Sequence, residues 1–133
     1  MCTVITKHAE IELKDRVMTQ KKFGATIRDL RLAKQISLRK FADQVGISPT
    51  YLSKIERDEF PPPGEETVKN FADALGQDPD ELLALAGKVS SDLPAIIQQR
   101  PRELASFLRT AEGLSPDDMA RLTKYVEKMK RST

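Results

Sequence analysis

Residues 44–63 read QVGISPTYLSKIERDEFPPP, and the reading of this stretch decides the fold. An apolar-periodic segment stops at Gly46, a residue suited to the left-handed position just past a helix end. Two residues on, Ser48-Pro49 joins a favoured N-cap to a proline at the first helical position, where a missing N–H loses nothing. A second helix therefore starts at once, separated from the first only by Gly46-Ile47-Ser48. Its Leu52 and Ile55 point inward, and Thr50, Tyr51, Ser53 and Lys54 lie on the outer face. Pro61, Pro62 and Pro63 then forbid any continuation. The chain thus turns a sharp corner in order to present a short, polar-faced helix.

The periodic pattern extends on both sides. Phe23, Ile27 and Leu30 follow helical spacing. Leu38, Phe41, Ala42 and Val45 do so behind the N-cap Ser37. Val68, Phe71, Ala72 and Leu75 repeat the pattern, and Gly76 stops it. Asp78-Pro79-Asp80-Glu81 opens a further helix with a cap, a proline and acids at the positive dipole end. Leu82, Leu83, Leu85 and Ala86 supply its apolar side. Five short helices are expected between about 22 and 88. After the linker GKVSSD come three more: one around Leu93, Ile96 and Ile97, one around Leu104, Phe107, Leu108 and Ala111, and one opened by Ser115-Pro116. In the last, Met119, Leu122, Val126 and Met129 form a 3-4-3 seam suited to packing on another helix. The apolar stripes are expected to be core. An all-α chain follows, organised as an N-terminal extension (1–20), a domain (21–89) and a helical interaction and dimerisation region (90–133). TVITKHAEIEL, within the extension, alternates weakly and predicts a short hairpin or loose chain.

The chain has 133 residues and a net charge of +2, but the charge is unevenly spread. Residues 21–60 hold nine basic and five acidic groups, whereas residues 61–92 hold two and seven. The basic excess coincides with the corner, where an electrostatic footprint for phosphate would lie. Cys2 is the single cysteine, which excludes an intrachain disulfide and fits a reducing, cytosolic setting. No apolar run reaches the ~18 residues of a membrane span. His8 and Cys2 lack companions for a metal site or a nucleophile pair. No phosphate loop, zinc pair or nucleophile elbow is present, and no cofactor, metal or catalytic group is expected. The paired acids Glu65-Glu66 and Asp117-Asp118 sit at helix starts, where the macrodipole accounts for them.

Two short helices joined by such a turn form a helix-turn-helix, whose first helix braces and whose second enters the DNA major groove. Ser48, Thr50, Tyr51, Ser53 and Lys54 give the slim, hydrogen-bonding face the groove requires. Tyr51 is open to either of two roles, DNA contact or packing against the preceding helix. Residues 22–88 closely resemble the DNA-binding domains of the lambdoid phage repressor and Cro family, the XRE regulators. The resemblance lies in IRDLRLAKQISLRKFADQVGISPTYLSKIERDEF and EETVKNFADALGQDPDELL, and covers about half the chain. It implies a five-helix lambda-repressor-like fold and a buried pair between Arg31 and Glu56. It further implies that Pro49, Thr50, Ser53 and Lys54 face bases or nearby phosphates, and that Arg39 lies in a phosphate-contacting neighbourhood. Three features depart from the pattern: Leu38 stands where a phosphate-contacting Gln is common, Asp58 and Glu59 replace a Gly and a basic residue, and FPPP is longer and stiffer than usual.

The resulting expectation is a cytoplasmic, nucleoid-associated regulator of bacterial or phage origin. It would be a repressor binding a palindromic double-stranded operator as a homodimer through residues 48–57, with Met119, Leu122, Val126 and Met129 at the dimer contact. The alternatives are an antitoxin that controls its own operon and masks a toxin, and an interaction module that has lost DNA binding. Family analogy adds a regulatory peptidase as a further partner. Asp58-Glu59 is the feature that most favours the interaction module.

Overall fold

A computed structural model describes residues 22–132. The expectation for residues 1–20, His8 and Cys2 included, lies outside the described residues. Among the described residues there are helices and no strands. They are α1 (Phe23–Ala33), α2 (Leu38–Val45), α3 (Pro49–Glu56), α4 (Glu65–Leu75), α5 (Pro79–Leu85), α6 (Asp92–Gln99), α7 (Pro101–Ala111) and α8 (Pro116–Ser132). No helix among them is long and apolar enough to cross a membrane. The chain divides into two units between Ser90 and Ser91.

In the first unit, α1 to α5 close around one core. Ile27, Phe41, Leu52, Phe71 and Leu75 are completely buried in it. Phe71 is its hub, with its ring centroid 5.4 Å from that of Phe41 and 6.1 Å from that of Phe23. These side chains meet because each helix carries one apolar stripe, and short loops leave the stripes no other direction to face. The helix ends are built from local chemistry. Ser37 Oγ accepts the N–H of Lys40, and Asp78 Oδ1 accepts that of Glu81. Gly46 closes α2 at φ 75°, and the N–H of Ile47 donates back to the carbonyl of Ala42. Gln35 closes α1 at φ 57°, an ending its residue type does not announce. Lys69 Nζ fastens the far end of the unit by donating to Ser90 Oγ at 3.1 Å and to Glu65 at 2.9 Å.

The second unit contains α6, α7 and α8. Pro101 forces Arg100 out of helical geometry (φ −142°, ψ 69°), which breaks α6 from α7. Ser115 Oγ caps α8 by accepting the N–H of Asp118. Here the expectation of buried stripes fails for α6 and α7, while the α8 seam, expected at a dimer contact and not in the core, is largely exposed. None of the three helices has a buried residue. Leu93, Ile96, Phe107, Leu108, Met119, Val126 and Met129 are all exposed. The helical pattern is present, but among the described residues of this unit no second layer covers it.

Candidate nucleic-acid interface

The corner begins with α3. Ser48 has extended backbone, and its Oγ accepts the N–H of Tyr51 at 3.1 Å. Pro49 takes the first helical position. Leu52 and Ile55 are driven into the core, which fixes the rotation of the helix. Ser48, Pro49 and Thr50 are consequently exposed at its N-terminal end, and Ser53 and Lys54 are half-buried further along. Arg39, second residue of α2, is exposed.

A buried ion pair sets the position of α3 against α1. Arg31 Nε donates to Glu56 Oε2 at 2.7 Å and Nη2 to Oε1 at 2.9 Å, a two-pronged contact. Arg31 Nη1 donates to the carbonyl of Ile36 at 2.8 Å, which also ties in the loop leading to α2. Both residues are buried. Three elements of the corner thus meet on one guanidinium.

Beyond α3, the acidic residues that depart from the family pattern have structural work. Asp58 adopts the left-handed conformation at φ 59°, which Asp tolerates better than most residues. There it ends α3, and the N–H of Glu59 donates to the carbonyl of Lys54 at 2.9 Å. Its carboxylate also accepts the N–H of Gly24 at 3.0 Å, supplying α1 with the N-terminal partner that Lys22 does not. Gly24 is required at that crossing, because a Cβ there would lie 1.9 Å from the carbonyl oxygen of Ile55. Glu59 meets Arg57 at 3.4 Å. Asp58 and Glu59 each therefore have a partner within the unit.

Phe60 contributes a feature the periodicity could not reveal. Its exposed ring stands 5.9 Å from that of Tyr51, and Lys54 Nζ lies 5.0 Å from its centroid. Tyr51, left open between DNA contact and helix packing, is half-buried and packs against the core. The stiff proline run, with Pro63 buried, holds the aromatic beside the outer face of α3. A separate cleft of about 220 Å³ is lined by Arg28, Arg31, Leu38, Ser53, Glu56 and Arg57. Arg31 and Glu56 cancel in charge there, while Arg28 and Arg57 add positive charge beside Leu38, where the expected Gln is missing. Arg28 was legible in principle, being three residues before Arg31 on the same helical face. Met119, Leu122, Val126 and Met129 lie on α8 in the second unit.

Five short helices, with α2 and α3 joined at a Gly-capped corner and locked by a buried ion pair, define an all-α helix-turn-helix protein. Residues 22–85 match the family described as "Helix-turn-helix domain". Residues 22–85 thus carry a helix-turn-helix domain similar to those of XRE, lambda-repressor-like regulators. It is 33% identical over 69 residues to the uncharacterized HTH-type transcriptional regulator RghRB of Bacillus subtilis, covering 52% of this chain and 50% of that protein. The match thus spans half the length of that relative. Among solved structures, the biofilm master regulator SinR in complex with DNA is 30% identical over 46% of this chain and 97% of that one, with a TM-score of 0.43. The clp gene regulator ClgR of Corynebacterium glutamicum is 32% identical over 49% and 83%, with a TM-score of 0.42.

Proposed function

We propose that the protein is a cytoplasmic, sequence-specific DNA-binding transcriptional regulator. Its first unit lays α3 in the major groove, and it acts as a repressor on a two-fold operator. The observation that carries this reading is the locked corner. The Arg31–Glu56 pair and the buried Leu52 and Ile55 hold α3 rigidly, with Thr50 exposed at its N-terminal end and Lys54 held by the Phe60 ring. Thr50 and Ser53 are the base readers in this arrangement, and Ser48 and Pro49 bring the helix N-terminus close to phosphate. Arg39 and Lys54 contact the backbone, with Arg28 offering the cationic surface that Leu38 cannot. One unit reads only a few base pairs, so two copies with recognition helices about 34 Å apart supply useful specificity. The helix-turn-helix match and the similarity to a transcriptional regulator support the same reading.

The test is the salt dependence of operator binding. Lys54→Ala and Arg39→Ala should each lower affinity and reduce the slope of log K against log salt by about one, with folding unchanged. Thr50→Ala should relax base preference at one position of each half-site, at about 1–3 kcal/mol. Unaltered affinity, slope and preference in all three variants would place the interface elsewhere.

A further inference from the structure

We infer that α8 pairs antiparallel with α8 of a second copy of this chain, about a two-fold axis level with Lys124. The inference rests on the reading of the protein as a dimeric regulator and gives that dimer its geometry.

The second unit lacks a core of its own. It begins at Ser91, close to the ~40-residue size below which a chain usually needs an outside staple or a partner. No residue of α6, α7 or α8 is buried. Met119, Val126 and Met129 remain 43%, 40% and 55% exposed. The seam opens into an apolar groove of about 530 Å³ with Phe107 on one side and Leu122, Val126 and Met129 on the other. An apolar face of this kind is an association site.

The pattern along α8 says what covers it. The seam is symmetric about residue 124: reversing the chain direction exchanges the positions of Met119 and Met129, and of Leu122 and Val126. In an antiparallel pair, Met119 is level with the partner's Met129, and Leu122 with the partner's Val126. The charges obey the same operation. Asp117 and Asp118 occupy the first turn, Lys130 and Arg131 the last. Helices that pack on each other lie about 8–10 Å apart, within a Debye length at physiological salt. Antiparallel pairing therefore brings Asp118, which also meets Arg121 of its own helix at 3.4 Å, beside the partner's Lys130, with Asp117 and Arg131 on the outer faces of the same ends, and opposes the two macrodipoles. Parallel pairing would set acid beside acid and base beside base. A helix of unrelated sequence would require neither the symmetric seam nor the matching segregation of charge, so the occupant is a second copy.

Disulfide trapping in the intact chain, with Cys2→Ser as background, tests the register. Leu122→Cys and Val126→Cys are prepared separately, mixed, allowed to exchange and oxidised. The mixed 122–126 disulfide should exceed either same-site disulfide several-fold, because same-site sulfurs would start about 6 Å apart along the axis. Independently, Asp117→Lys with Asp118→Lys, both off the seam, should weaken the dimer of the otherwise unmodified chain about tenfold at low salt, and less at high salt. A monomer by sedimentation at micromolar concentration, or a predominance of same-site disulfides, would overturn the pairing. Duplex binding, measured on the same samples, separates the two ideas. A correctly trapped dimer with no DNA affinity contradicts the regulator reading alone, and a DNA-binding monomer contradicts the pairing alone.

Discussion

On α4, Val68, Phe71, Ala72 and Leu75 follow helical spacing and are wholly buried; on α8, Met119, Leu122, Val126 and Met129 also lie on one face, and three of the four are exposed. The helices differ in their neighbours more than in their patterns. The stripe of α4 meets those of α1, α2 and α5 within one chain, and Phe71 joins the rings of Phe23 and Phe41. The stripe of α8 faces a groove that its own unit leaves open. An amphipathic pattern states that a face will be covered and is silent about whether the cover belongs to the same molecule.

This contrast can be broken most severely at Glu56. Glu56→Ala leaves the buried guanidinium of Arg31 without its partner, and should destabilise the first unit by about 3–5 kcal/mol. Thermal unfolding within a degree or two of the parent would remove the pair as a structural element. Gly24→Ala comes next. Its Cβ would collide with the carbonyl of Ile55, so α1 must move off α3 at a cost of about 1–3 kcal/mol by denaturant titration. Asp58→Ala should cost about 1 kcal/mol by removing the partner of the Gly24 N–H. Asp58→Asn, which keeps an acceptor and tolerates the left-handed backbone, should recover most of that loss.

Phe60→Ala should lower DNA affinity only a few-fold, on the order of 0.5–1 kcal/mol for a partly exposed cation–ring contact. A double-mutant cycle with Lys54→Ala should give less than additive losses if Phe60 acts through that lysine. The smallest effect on stability is expected from ending the chain after Ser90. Among the described residues every fully buried apolar side chain lies before that point, so the unfolding free energy of the first unit should change by less than about 1 kcal/mol. Two-fold cooperativity on an operator should nevertheless vanish. A large loss of stability would mean that the second unit supports the first.

The helices of the first unit were legible because several boundaries carry their own chemistry: Ser37, Ser48 and Asp78 as caps, and Gly46 and Gly76 as stops. The resemblance to known regulators further singled out Arg31 and Glu56, which no local pattern connects. What escaped depends on approach between distant segments. The Asp58 to Gly24 hydrogen bond spans 34 positions, and a carboxylate after a helix is indistinguishable in sequence from a solvated one. Phe60 read as the start of a loop, since its neighbours Tyr51 and Lys54 are set by the rigid path of the following prolines. The stripes of α6 and α7 suggested core because their periodicity is genuine, yet burial also needs a second layer.

The central claim is that α3 reads DNA in a two-fold arrangement. Selection of bound sequences from random duplex DNA by the intact chain tests it most directly. The account predicts an enriched inverted repeat with half-site centres about one helical turn apart, and loss of base preference at one position of each half-site in Thr50→Ala. Absence of any enriched sequence, or an enriched motif that Thr50→Ala and Lys54→Ala leave unchanged, would contradict it.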